Sequence, residues 1–294
     1  MLKFKPLTLD DRYIFKKYIV PYNFETCEYS FANLVMWKNA CEVQYTILNG
    51  VLIIKKIDFD GSSHFMQPLN YKKENLKEIV EILYKYKEEN QMDYLFKDAE
   101  TTFIHDFIEV FKDKYEVEED RDNFDYIYES EKLINLSGKL LHKKKNHLNY
   151  FINNIEHLDV DLTQDLTKSC ILAAKEWCYK NFCRGYLLSE LKSIEELLIN
   201  KECLNLIGMA VYINDKISAF TLGEIVNKNM AIIHVEKADS EIRGLYNYIN
   251  KTFVERYLKH IPYINREQDL GIEGLRAAKL SYSPFGFAKK YKIK

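Results

Sequence analysis

The chain reads as an α/β protein built as a tandem duplication, each copy a mixed, mostly antiparallel sheet flanked by helices. Three observations predict this. Its 294 residues exceed a typical single small domain. The order helix, helix, meander, helix, strand, helix, strand occurs twice along the sequence. And 22 Tyr and 17 Phe stand against only 10 Gly and 5 Pro, a composition suited to strands and large cores.

In the first half, Asp10 to Ile19 reads as a capped amphipathic helix. Ser30 to Lys38 reads as a second, with Ser30 as N-cap and Phe31, Leu34 and Val35 at helical spacing. Gln44 to Leu48 and Val51 to Ile57 flank Asn49-Gly50, a two-residue hairpin signal. A short strand at His64 to Pro68 precedes a helix from Tyr71 to Glu89, whose stripe is Leu76, Ile79, Val80, Leu83 and Tyr86. Strand Asp93 to Lys97, helix Ala99 to Phe111 and strands Tyr115 to Glu119 and Phe124 to Tyr128 complete the half. The acid-rich stretch Glu116 to Glu131 marks the seam, giving domains at 1–130 and 131–294.

The second half repeats the plan with helices Lys139 to Ile155 and Gln164 to Lys180. Strands Leu204 to Ile213, Ile217 to Val226 and Met230 to Lys237 follow, joined by Asn214-Asp215-Lys216 and Asn227-Lys228-Asn229. Such turn residues demand an antiparallel meander. A helix from Glu241 to Lys259, strand Pro262 to Asn265, helix Ile272 to Ser281 and a last strand Phe285 to Ile293 close the copy.

Composition sets the class of protein. A net charge of -2 argues against a general nucleic-acid coat, so no duplex DNA is expected as partner. No cysteine pair has C-x-x-C spacing, and no His completes a zinc pattern, so no metal is expected and the six thiols read as reduced. No signal core and no run of about 18 apolar residues occurs, which predicts a cytoplasmic protein without a transmembrane segment.

Several segments carry a resemblance. They are Lys132 to Gly138 with His142 to His147, Arg243-Gly244-Leu245-Tyr246 with Asn250, and Arg266 to Asp269 continuing through Gly274 to Pro284. Phe31 to Trp37 adds the first half. These resemble the soluble C-terminal domain of bacterial phosphatidylglycerol lysyltransferases, over nearly the whole chain. The resemblance implies a tandem Gcn5-related acyltransferase fold, akin to Fem-type aminoacyltransferases that take aminoacyl-tRNA as donor. The lysyltransferases carry a long transmembrane region ahead of this domain and the present sequence has none, which weighs against a lipid acceptor.

The candidate site lies in the second half. Related enzymes hold coenzyme A pyrophosphate on a Gly-rich turn at a helix N-terminus. The matching window here, Glu241 to Tyr246, places a carboxylate first and a bulky ring last, which disfavours standard coenzyme A binding. On the helix after Lys139, Lys144 falls on the apolar face of Leu141, Leu148, Phe151, Ile152 and Ile155, while His142, Lys145 and Asn146 flank it, a pattern suited to gripping phosphate. His234 and Glu236 alternate on a strand and are expected on one face, as general base or acceptor-positioning groups.

Arg266 is expected to clamp a carboxylate or phosphate, and Glu267 or Asp269 to bind the donor's α-ammonium. Arg276 and Lys279 would complete the anion pocket, with Arg243 and Asn250 as further binding groups and Tyr282 as proton donor to the leaving hydroxyl. The first half, with Lys97 to Thr101 in the matching place and no arginine there, is expected to be structural.

Together these assign an acyltransferase moving an aminoacyl or other acyl group to an amine or hydroxyl of a small molecule, peptide or lipid head group. Its alternatives are a non-catalytic binding member of the fold and an atypical coenzyme A-dependent N-acetyltransferase.

Overall fold

The computed structural model describes residues 2–294. Two compact units emerge, one running to Phe124 and taking in Ala288–Lys294, the other Asp125–Phe287.

The first unit comprises β1 (Lys5–Pro6), α1 (Arg12–Ile19), α2 (Phe31–Trp37), β2 (Gln44–Leu48), β3 (Val51–Ile57), β4 (Ser63–Phe65), α3 (Lys73–Glu89), β5 (Phe96–Glu100), α4 (Thr101–Phe111) and β6 (Val117–Glu119). Ser30 caps α2 by accepting from the Asn33 amide at 3.2 Å. Asn49 and Gly50 take φ of 50° and 80°, the left-handed values a two-residue hairpin turn needs. Leu76, Ile79, Val80 and Leu83 bury the predicted face of α3 against Phe96, Phe103 and Phe107.

The second unit holds β7 (Asp125–Glu129), α5 (Ser130–Asn135), α6 (His142–Asn154), β8 (Leu158–Asp161), α7 (Thr167–Lys180), α8 (Tyr186–Ile199), β9 (Ile207–Ile213), β10 (Lys216–Ile225), β11 (Met230–Ala238), α9 (Leu245–Phe253), β12 (Tyr263–Asn265), α10 (Glu273–Leu280) and β13 (Gly286–Ala288). The last strand is β14 (Lys290–Ile293). Helices α5 and α8 and strand β8 add to the elements expected from the sequence, although Leu191, Ile194, Leu197 and Leu198 in α8 have helical spacing. Cys178 and Cys183 are joined by a disulfide closing the α7–α8 turn, which corrects the expectation of reduced thiols there.

Each sheet has seven strands on one plan, β1-β2-β3-β4-β5-β14-β6 and β13-β7-β12-β11-β10-β9-β8. In both, an antiparallel meander of four strands meets a fifth strand in parallel, β4 with β5 and β11 with β12. The sixth strand is exchanged along the chain. Position in the sequence assigns β7 to the first copy and β14 to the second, but each pairs in the other sheet. Side-chain burial explains the exchange: Ile293 packs into the core of Phe96 and Phe107, while Tyr126 and Tyr128 join Phe151, Ile249 and Phe253.

Candidate functional site

In the second sheet the pairing of two parallel strands ends early. Strands β11 and β12 pair at Met230–Tyr263, Ala231–Ile264 and Ile232–Asn265, and no further. A bulge on β11 sits beside the parting, because Leu222 faces Val235 while Gly223 faces Ile233, leaving His234 as the extra residue. Gly223 is required there, since a Cβ would stand 2.5 Å from the Ile232 carbonyl oxygen. The extra residue changes the phase of alternation. Ala231 and Ile233 lie in the core with Ile249 of α9, and Glu236 reaches Asn250 of the same helix, whereas His234 turns to Glu224 on the other face. The expectation that His234 and Glu236 share a face is therefore corrected.

Most of the charged residues that crowd 266–279 hold the chain that follows β12 in place. Asp269, fully buried, accepts from Tyr126 Oη at 2.5 Å, the Gly271 amide at 2.9 Å, and Arg276 Nε and Nη2 at 2.9 and 2.8 Å. Burial would raise its pKa, but these donors overcome that and hold it at about 2. Lys279 Nζ donates to the carbonyls of Arg266, Glu267 and Gln268, gathering the loop from its concave side. His234 lies between Glu267 and Glu224, at 2.8 and 2.9 Å. Burial lowers its pKa, yet the two carboxylates outweigh burial and lift it to about 10, which favours the imidazolium. Glu267 itself has φ of 57°, a strained value for a side-chain-bearing residue, and its amide N–H donates to Asn265 Oδ1 at 2.7 Å. Glu267 thus pairs with His234, Asp269 with Arg276, and Lys279 with main-chain carbonyls of the loop.

A smaller group faces inward. Arg266 donates from Nη2 to Glu236 Oε1 at 2.9 Å, and Asn250 donates to Glu236 Oε2 at 2.7 Å. The guanidinium lies over the rings of Tyr282 and Tyr128, at 4.8 and 5.5 Å. Arg266 Nη1 and Asn250 Oδ1 are both buried and have no hydrogen-bond partner among the described residues. An unmet donor and an unmet acceptor thus hang from one carboxylate. Tyr282 Oη accepts from Asn247 Nδ2 at 2.6 Å, which leaves the phenol proton for another acceptor. Burial pushes that phenol to about 12, against the opposing pull of Arg266. Lys144 stands 4.3 Å over the Tyr282 ring, and its pKa is lowered by burial, then by Arg266 and Lys143.

Helix α6 carries the remaining basic residues. His142, Lys145 and Asn146 are exposed, with His142 and Asn146 3.4 Å apart, and Ile152 is exposed although the apolar stripe includes it. The first turn of α6 holds no carboxylate against the positive end of its dipole. Arg243 lies over Tyr150 at 4.5 Å, and burial together with Arg243, Lys143 and Lys144 lowers the pKa of His147. At the start of α9, Gly244 has φ of 87° and a Cβ there would stand 2.1 Å from the His147 carbonyl oxygen. Helix α6 thus abuts the turn where a pyrophosphate would sit, and Lys180 is bridged there to Asp239 and Glu241 at 2.8 Å each. A shallow, open cleft lies apart from the Arg266 group, beside α7 and the end of β11. Its charges are matched: Lys237 sits 3.9 Å over Trp177 and 2.8 Å from Glu190, and Lys216 pairs with Glu176.

The first unit repeats the frame without the inward group. His64 on β4 lies 3.8 Å from Asp58 and 3.6 Å from Asp98, and Asp98 has φ of 56°, matching His234 and Glu267. Here the gap beyond β4 and β5 is filled by the chain itself. The Glu100 carboxylate accepts from Tyr22 Oη and from the amides of Glu25 and Thr26, and the Glu100 amide donates to Gln67.

Residues 20–294 match the family described as phosphatidylglycerol lysyltransferase, C-terminal. The chain belongs to this family. A conserved protein of unknown function from Bacteroides thetaiotaomicron has 32% identity and a TM-score of 0.90, covering 100% of this chain and 99% of that one. An uncharacterised protein of Mycoplasmoides gallisepticum is 32% identical over 197 residues, 64% of this chain but 61% of that relative's length. L-PGS from Bacillus licheniformis has a TM-score of 0.66 at 10% identity, over 98% of this chain and 92% of its own. FemX has 0.60 at 8%, over 99% and 97%. At such identities the last two establish the fold alone, a tandem Gcn5-related acyltransferase fold, which this lysyltransferase-family chain shares.

Sequence reasoning locates Arg266, Glu236, Asn250, Tyr282 and Lys144, which the fold brings together. It misses Tyr126, Tyr128, Glu224 and Asn247. The first two lie in a strand assigned to the other half, and the others have no local motif.

Proposed function

We propose that the second unit is an aminoacyltransferase, moving an aminoacyl group from a tRNA-type donor to an amine or hydroxyl acceptor. The unmet pair Arg266 Nη1 and Asn250 Oδ1, where the strands part, carries this reading. An α-aminoacyl ester offers the complement: its carbonyl oxygen accepts from Arg266, and its α-ammonium donates to Asn250 beside the Glu236 charge.

The chemistry follows from those positions. The acceptor's nitrogen or oxygen attacks the ester carbonyl, and Arg266 stabilises the charge that develops on the carbonyl oxygen. The ester C–O bond breaks, and the leaving ribose oxygen takes the Tyr282 proton. The acceptor's proton returns to the phenolate, so protons balance over the cycle. Glu236, held by Arg266 and Asn250, orients and is not the base. Lys143 and Lys145, exposed at the start of α6 on either side of Lys144, meet the donor's phosphates. The family's lipid substrate makes a lipid head group one acceptor candidate, with small molecules and peptides as the others. The first unit, with its gap filled by Glu100, Gln67 and Tyr22, serves as support.

Thermal denaturation against charged tRNA, uncharged tRNA, a non-hydrolysable aminoacyl-adenosine amide and acetyl-coenzyme A tests the proposal. A ligand at 100 times its Kd stabilises by about 2.7 kcal/mol. Stabilisation by the amide, lost in Arg266→Lys, is expected; a response to acetyl-coenzyme A alone would give the protein to the N-acetyltransferase alternative.

A further inference from the structure

Helices α7 and α8 meet in a tip that breaks the rule the rest of the surface follows. Tyr179 and Phe182 are 86% and 81% exposed, and among the described aromatic residues only Tyr13, at 79%, comes near them. Two neighbouring rings held in water are costly unless something covers them.

The turn fixes them outward. The disulfide between Cys178 and Cys183 closes it, the Cys183 amide donates to the Cys178 carbonyl at 3.1 Å, and the Asn181 amide and side chain both donate to the Trp177 carbonyl. Phe182 takes φ of 51° in this turn, and its ring stays exposed.

The surrounding charges select the partner. Residues 177–189 include no carboxylate, and of their two cations Lys180 is bridged to Asp239 and Glu241 while Arg184 is exposed. Lys168, Leu172, Lys175 and Tyr179 follow one another at helical spacing along α7, all exposed, with Lys175 3.8 Å from Glu195. Two exposed aromatic rings beside an exposed arginine match the boundary of an anionic bilayer, where rings enter the acyl margin and the cation meets phosphate. A protein partner would need a complementary hollow.

We propose that the α7–α8 tip docks the protein reversibly on anionic lipid surfaces through Tyr179 and Phe182, with Arg184 at the head groups. The proposal stands apart from the acyl-transfer reading, because no residue of the Arg266 group takes part.

Flotation of the full chain with vesicles of phosphatidylglycerol and phosphatidylcholine in equal parts, and with phosphatidylcholine alone, tests it. The native chain should float with the anionic vesicles. Tyr179→Ser with Phe182→Ser should lower partitioning at least about tenfold while leaving thermal stability unchanged. Arg184→Glu should weaken binding to anionic vesicles in particular. A native chain that stays in solution, or a double variant that floats equally well, overturns the proposal. So does self-association that the double variant abolishes in the absence of vesicles, which would assign the tip to a second copy of the chain.

Discussion

Arg266 and Asn250 share the carboxylate of Glu236, each through one hydrogen bond, and each keeps one buried polar atom unmet. Unmet buried polar atoms are rare in folded proteins, and two of opposite sense on one carboxylate define a ligand by what it must present. The same carboxylate explains why the two atoms stay in place with nothing bound: its oxygens hold the other ends of both side chains.

Arg266→Lys should separate binding from folding. It keeps a cation for Glu236 but removes the planar fork that carries Nη1. Donor binding should fall about 10- to 100-fold, the worth of a charge-assisted hydrogen bond, with little change in Tm. Arg266→Ala, which leaves Glu236 without its cation, should also cost about 3–5 kcal/mol of stability. Binding by a fluorescent aminoacyl-adenosine amide and thermal melts measure the two; equal loss of stability in both variants would count against the assignment.

His234 predicts a pH dependence with a definite sign. Its folded pKa of about 10 lies above the unfolded value near 6.5. Its contribution is therefore complete below about pH 6.5 and is lost as pH rises through about 10. Urea stability between pH 7 and pH 10 should fall by about 2–4 kcal/mol more in the native chain than in His234→Gln. Parallel curves for the two proteins would show that the ring is neutral and the two carboxylates are held by other means.

How far the sequence reveals the site depends on whether each signal is local. The Asn49-Gly50 turn, the Ser30 cap and the α3 stripe need only their neighbours, and all are found. The exchange of β7 and β14 is decided by which core takes Ile293 and which takes Tyr126, information that spans the chain. The charges of 266–279 mark the segment that carries Arg266, yet how each of them is partnered depends on residues far away in sequence. Tyr126 engages Asp269, and Glu224 with His234 engages Glu267, leaving Arg266 as the one turned inward. The face of His234 is hidden for another reason: a bulge shifts alternation by one residue, and a strand sequence does not advertise it.

Gly244 and Gly50 together test the contact of α6 with α9. Both have left-handed φ, 87° and 80°, but a Cβ would meet a neighbour only at Gly244, where it would stand 2.1 Å from the His147 carbonyl oxygen. Gly50→Ala should cost about 1 kcal/mol, the backbone penalty alone. Gly244→Ala adds a collision with main chain and should cost about 2–4 kcal/mol. Chemical denaturation of both variants checks the difference; equal effects would mean that α6 and α9 are not in close register.

Lys143 and Lys145 test the proposed path of the donor. They lie at the start of α6 with no carboxylate in that turn, where the helix dipole already favours an anion. If they meet phosphates of a single-stranded tRNA end, each contact contributes about 0.7 to the slope of log affinity against log salt. Lys143→Gln with Lys145→Gln should therefore weaken charged tRNA about 10-fold at low salt and reduce the slope by roughly one unit or more. Affinity for the aminoacyl-adenosine amide, which lacks the RNA phosphates, should stay unchanged. Filter binding across a salt series reads both quantities. A variant that loses the amide and tRNA alike would place these lysines in the amino-acid pocket, while one that loses neither would move the phosphate path off α6.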